Sequence, residues 1–160
     1  MFTPNAETQA IIGSDYPKIV VPLIEAATTS IDFIMYEWKW YSHEQAGGME
    51  KLNLAVLDRA RSKIPIRVLL NIESMGHAIT KINSRTASFL QQRGVVVKFG
   101  QVGVATHAKM VIIDNLTVII GSHNYSKGSF TRNQECSVGI KGPDSVRPFI
   151  DYFKLLWDRF

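Results

Sequence analysis

The chain has 160 residues and a mass of 18.0 kDa, with 46% hydrophobic and 20% charged residues. That is one globular domain's worth, which excludes a disordered or fibrous chain. No apolar run reaches the roughly 18 residues of a membrane-spanning helix, the start MFTPNAETQA lacks the basic and apolar parts of a signal peptide, and one cysteine, Cys136, excludes an internal disulfide. The expectation is a single domain over residues 1–160, cytoplasmic and without stable membrane association. The net charge of +4 conceals an asymmetry: residues 1–60 carry −4, residues 61–135 carry +7 and residues 136–160 carry +1. The middle of the chain either attracts a polyanion or is a solvated basic face.

Taken in order, the patterns alternate between strand and helix. A short strand is predicted over 8–12, a helix over 18–28 and a buried strand over 31–36. Met49, Leu52, Val56, Leu57 and Ala60 recur at helical spacing and predict an amphipathic helix over 48–63. A strand over 66–72 (IRVLLNI) is followed by a helix over 83–92 that stops before Gly94, and by a third core strand over 95–99. The segments KMVIID and LTVII flank Asp114 and Asn115, a tight hairpin turn. Another strand is predicted over 135–141. A closing helix follows Pro143, with Val146, Phe149, Ile150, Phe153, Leu156, Trp157 and Phe160 on one stripe and Pro148 in its first turn. The fold class is α/β: a mixed sheet, because of the hairpin, flanked by helices on both faces.

Most catalytic signatures are missing. The sequence has no phosphate-binding loop ending in Gly-Lys-Ser/Thr, no His-Glu-x-x-His, no cysteine pair, no G-x-S-x-G and no close carboxylate pair for Mg²⁺. No metal and no cofactor are therefore expected. What stands out is THAKMVIIDNLTVIIGSHN, in which His107, Lys109, Asp114, Gly121, Ser122 and Asn124 form H-x-K-x4-D-x6-G-S-x-N. If this segment starts as a strand, His107 and Lys109 project from one face. An imidazole nucleophile then stands beside an ammonium for a phosphate oxygen. The hairpin returns Gly121 to Asn124 to the same place, where glycine permits close backbone approach and Ser122 and Asn124 supply donors. Glu135 follows on the next strand and could accept the second ring N–H of His107, or be a plain surface carboxylate. His123 occupies a variable position and faces away; His43 and His77 read as surface residues.

This pattern resembles the phospholipase D superfamily at every fixed position, and most of all its small bacterial endonuclease type. The resemblance spans nearly the whole chain, from the strand ending at Tyr36 through IRVLLN and the motif to Asn133-x-Glu135 and the aromatic closing helix. It implies phosphodiester cleavage through a covalent phosphohistidine, with one histidine attacking phosphorus and a second protonating the leaving alcohol. His107, Lys109, Asn124 and Glu135 would be the catalytic set, with Lys109, Ser122 and Asn124 on the phosphate and Asp114 and Gly121 structural. Because the chemistry needs two facing motifs and the chain has one, the resemblance implies a homodimer with a composite cleft. The segment EWKWYSHEQAGG is longer and more aromatic than the family needs. Trp38, Trp40 and Tyr41 could stack on bases, with Lys39 on phosphate, or serve core packing or dimer contact. The expected substrate is DNA or RNA; a phospholipid phosphodiesterase and a nucleic-acid-binding subunit with little catalysis are the alternatives.

Overall fold

Every residue of Ile31–Met35 is buried, as in a strand covered on both faces, and the one charged residue, Asp32, is paired with Arg67. This strand, β2, lies near the centre of the computed structural model, which describes residues 6–41 and 48–160. The other strands are β1 (Glu7–Ile12), β3 (Ile66–Leu70), β4 (Val96–Phe99), β5 (Met110–Ile113), β6 (Thr117–Gly121) and β7 (Cys136–Lys141). The helices are α1 (Tyr16–Glu25), α2 (Met49–Arg61), α3 (Ala78–Gln91), α4 (Lys127–Thr131) and α5 (Pro143–Arg159). The sheet has seven strands in the order β1-β7-β6-β5-β2-β3-β4. β2, β3 and β4 are parallel, joined by the crossover helices α2 and α3, and all the other pairings are antiparallel.

Strand alternation sorts the core into two layers. Phe33, Met35, Val68, Leu70, Val111 and Ile113 pack under helices α1 to α3. Ile34, Leu69, Met110, Ile112 and Val118 face the other way, onto Val146, Ile150, Phe153 and Trp157 of α5. The α/β class with helices on both faces is what the sequence pattern predicts, and the hairpin closes as predicted: Asp114 and Asn115 both take left-handed φ values, 55° and 56°, which a two-residue hairpin turn requires and which Asp and Asn tolerate best.

Three local expectations are corrected. Helix α3 starts at Ala78 rather than 83, because the His77 ring accepts the Ile79 N–H at 3.3 Å and caps the extra turn. The one-turn helices at Gly13–Asp15 and at α4 were not predicted, being too short to carry a periodic apolar stripe. Pro148 sits in the second turn of α5 rather than the first. It is tolerated there because Asp144, whose carbonyl loses its i+4 donor, and Pro148 itself are both exposed.

The topology gathers one edge. The C-terminal ends of β2, β3 and β4 coincide with the start of β5, the end of β6 and the start of β7. In open α/β sheets ligands bind beyond the carboxyl ends of the parallel strands, and here all the motif residues except Asp114 lie at that edge.

Candidate active site

His107 and Lys109 precede β5 and lie on one side of the chain, as alternation requires. The Lys109 Nζ sits 3.2 Å from His107 Nε2 and 2.7 Å from the His107 carbonyl. An ammonium has only donors, so Nε2 faces it with its lone pair. His107 is exposed, whereas Lys109 is 8% exposed. Burial lowers the lysine's pKa, and the charge of Glu135 works in the opposite sense without overcoming it. The ring of Tyr36, at the end of β2, completes the group: it meets the His107 ring edge-on at 4.8 Å and lies 5.0 Å from Lys109 Nζ.

The hairpin returns the second half of the motif to this point. Gly121 donates to the Lys109 carbonyl at 3.2 Å, and a Cβ there would collide with Ser137 and with the Cys136 carbonyl, so the close approach does require glycine. Asn124 is half-buried, and its Oδ1 is enclosed with no hydrogen-bond partner among the described residues.

Glu135 does not do what the sequence suggested. Its carboxylate accepts the hydroxyls of Ser122 and of Ser129 (3.0 Å) and the Asn133 amide at 3.1 Å, and none of its bonds goes to the His107 ring. Burial alone would raise its pKa, but these donors, Ser122 foremost, hold it below the ordinary carboxylate value. The assignment of Ser122 as a phosphate donor falls with it: a hydroxyl has one proton, here given to Glu135, and Ser122 Oγ accepts from the Cys136 N–H at 3.1 Å. Ser122 and Glu135 form a strut that ties the motif loop to β7.

Asp114 lies away from this group, at the hairpin turn. Its carboxylate accepts the backbone N–H groups of Thr28, Thr29 and Ser30 and the Thr28 hydroxyl, pinning the hairpin tip to the turn before β2. Burial opposes its ionisation, yet these donors prevail and its pKa is lowered. His123 does turn from the site, into the core. Fully buried, it takes a hydrogen bond from Ser137 Oγ at 2.7 Å and donates to the Gly13 carbonyl at 2.9 Å, and burial lowers its pKa.

The base-stacking role suggested for Trp38 is overturned, because Trp38 is 0% exposed. Its indole N–H donates to Asn53 at 3.1 Å and its ring packs on Phe33 and Tyr125. Trp40 packs on Phe89 at 3.9 Å, and the Tyr41 hydroxyl accepts the Lys127 N–H. Lys39 is exposed and its backbone N–H bonds the Tyr125 carbonyl at 2.8 Å. His43 and the rest of residues 42–47 lie outside the described residues.

Sequence reasoning also missed Tyr36, Asn71 and Asn83, all at this edge. The one signal was a polar residue, Asn71, closing the apolar run IRVLLN. Among the described residues no three His, Cys, Asp or Glu side chains converge as a metal site would need.

Comparison with known proteins gives this edge a family. The human mitochondrial cardiolipin hydrolase is 24% identical over 135 residues, covering 84% of this chain and 48% of the relative. The chain thus spans about half the length of that curated relative. Among solved structures, Nuc, a phospholipase D family member from Salmonella typhimurium, superposes with a TM-score of 0.78 at 19% identity over 96% of this chain and 95% of its own. NucT from Helicobacter pylori gives 0.77 at 15% identity over 96% and 97%. The family described as "Cardiolipin synthase, PLD-like domain" matches residues 20–157, a stretch that holds the whole motif, and the chain belongs to this phospholipase D-like family.

Proposed function

We propose that the chain is a metal-independent phosphodiesterase that cleaves nucleic acid through a phosphohistidine, in a cleft shared by two copies. The observation that carries this reading is the Lys109 ammonium 3.2 Å from the lone pair of His107 Nε2 at an open edge. A phosphate arriving there exchanges its non-bridging oxygens for Nε2 as the partner of Nζ, which leaves the lone pair facing phosphorus. Nε2 then forms the P–N bond as the P–O bond to the leaving alcohol breaks, and that oxygen takes a proton from His107 of the partner subunit. The same partner histidine removes a proton from water, whose oxygen displaces Nε2 and releases the phosphate monoester. Lys109 and Asn124 hold the non-bridging oxygens, the task metal ions perform elsewhere.

Nucleic acid is favoured by the +7 charge of residues 61–135 and by the two bacterial folds matched over almost their full length. A phospholipid substrate is the second reading. It is favoured by Met75, Val102 and Val104, which are 99%, 55% and 58% exposed on the loops that follow β3 and β4, and by the activity in the name of the human relative. The test is incubation in EDTA with single- and double-stranded DNA, RNA, phosphatidylcholine and cardiolipin. Nucleic-acid cleavage that survives chelation and leaves an acid-labile phosphoenzyme supports the proposal. Loss of all cleavage on chelation, or turnover of lipid alone, overturns it.

A further inference from the structure

Tyr36 touches both members of the reactive pair, and the pair has no other aromatic contact among the described residues. Its ring meets the edge of His107 at 4.8 Å and the Lys109 ammonium at 5.0 Å. The second contact places a cation over a negative π-face, the first an imidazole edge against the same ring.

The position of Tyr36 is itself enforced from behind. Asn83 is 0% exposed and reaches out from α3. Its amide donates to the Tyr36 carbonyl and to the Asn71 carbonyl, both at 2.8 Å, and its oxygen accepts the Trp38 N–H at 3.0 Å. One side chain thus clamps the ends of β2 and β3. Asn71, also 0% exposed, uses its own oxygen to accept the Thr106 N–H at 2.7 Å, one residue before His107. The adjoining residues on both sides of the imidazole, Tyr36 in space and Thr106 in sequence, are therefore fixed by two buried asparagines. A buried polar network of this kind, with its bonds made, specifies one arrangement.

We propose that Tyr36 is a positioning residue that keeps the His107 lone pair in register with Lys109, and that Asn71 and Asn83 hold it and Thr106 in place for that purpose. This rests on the phosphodiesterase reading for its kinetic arm and stands apart from it for its spectroscopic arm. The ring supplies the contact, so phenylalanine must serve as well as tyrosine, while leucine stays apolar and loses the π-face.

The experiment compares wild type, Tyr36→Phe and Tyr36→Leu by ring ¹⁵N spectroscopy of His107 and by hydrolysis of bis(4-nitrophenyl) phosphate, with circular dichroism to establish that each is folded. In wild type the ring nitrogens should show one tautomer, with Nε2 unprotonated. Tyr36→Phe should keep that pattern and stay within about threefold in kcat, whereas Tyr36→Leu should average the two nitrogens and lose about 10²-fold in kcat, with KM little changed, as a small misplacement of a reacting group does. A Leu variant with the wild-type spectrum overturns the proposal. So does a Phe variant as damaged as Leu, which would assign the effect to the hydroxyl. If wild type hydrolyses no phosphodiester, the functional reading fails while the nitrogen pattern still decides the positioning role. Should Tyr36→Leu not fold, Tyr36→Met, unbranched and without a π-face, replaces it: loss of the single-tautomer pattern supports the proposal, and an unchanged pattern overturns it.

Discussion

At the residue scale, the proposed reaction gives His107 the nucleophilic role and Lys109 the electrostatic one. His107→Ala should lower kcat by at least the 10²- to 10⁴-fold attributed to a single acid–base group, measured on a nucleic acid or an activated diester; retention of more than a tenth of the activity would remove it from the chemistry. Lys109 acts as a cation, and burial lowers its pKa. The alkaline limb of kcat/KM should therefore fall below the ordinary lysine value of about 10.4 and shift upward in Lys109→Arg, while a limb that does not move in Lys109→Arg would count against Lys109 as the titrating group. Asp114 belongs to stability rather than turnover. Its folded pKa lies below its unfolded value, so its contribution is present above about pH 4 and is lost as pH falls through the folded pKa. Asp114→Asn, which suits a φ of 55° but forfeits the charge-assisted bonds, should cost about 1–3 kcal/mol at neutral pH. In urea titrations that difference should shrink at low pH, and a difference independent of pH would show that the charge is not what matters.

At the scale of elements, the apolar helix–sheet contact on the α5 side also holds one ion pair. Asp32 is 2% exposed and binds Arg67 through two bonds of 2.7 Å, one from Nε and one from a terminal nitrogen. The guanidinium also lies 4.7 Å from the Phe153 ring and 5.4 Å from the Trp157 ring. It therefore neutralises a buried carboxylate and offers α5 a flat surface to pack on. Arg67→Met would leave the Asp32 charge enclosed and unpaired, at a cost of about 3 kcal/mol. The double variant Asp32→Leu/Arg67→Met should recover most of that loss in equilibrium unfolding; a double variant as unstable as the single would mean that the arginine's packing, not its charge, holds α5.

For the whole molecule, the proposed two-histidine reaction makes the open edge, with its one His107, half of a site. Light scattering of the active protein should report about 36 kDa, twice the 18.0 kDa of the chain. Mixing His107→Ala with wild type should poison activity beyond simple dilution; an active monomer would end the shared-cleft reading. Affinity for DNA should fall steeply between low and physiological salt if phosphates dominate binding.

Much of this was legible in the chain. The motif spacing, the two-residue turn at Asp114 and Asn115 and the runs of apolar strands are local patterns, and periods of 2 and 3.6 residues carry them directly. Local pattern also sufficed to place His107 and Lys109 on one side, since they are two residues apart. It could not assign Glu135, because whether that carboxylate meets His107 or Ser122, Ser129 and Asn133 depends on how β6, α4 and β7 pack. Nor could it separate an exposed tryptophan from a buried one: Trp38 sits in a polar-looking run yet fills the core beside Phe33 and Tyr125. Tyr36, Asn71 and Asn83 lie far from the motif in sequence, and only the parallel pairing of β2 with β3 and the crossover through α3 bring them behind the imidazole. The sequence alone determined the family motif and the sheet because both are written at short range; the supporting contacts were left to the tertiary structure because burial and hydrogen-bond partners arise between segments that the chain keeps far apart.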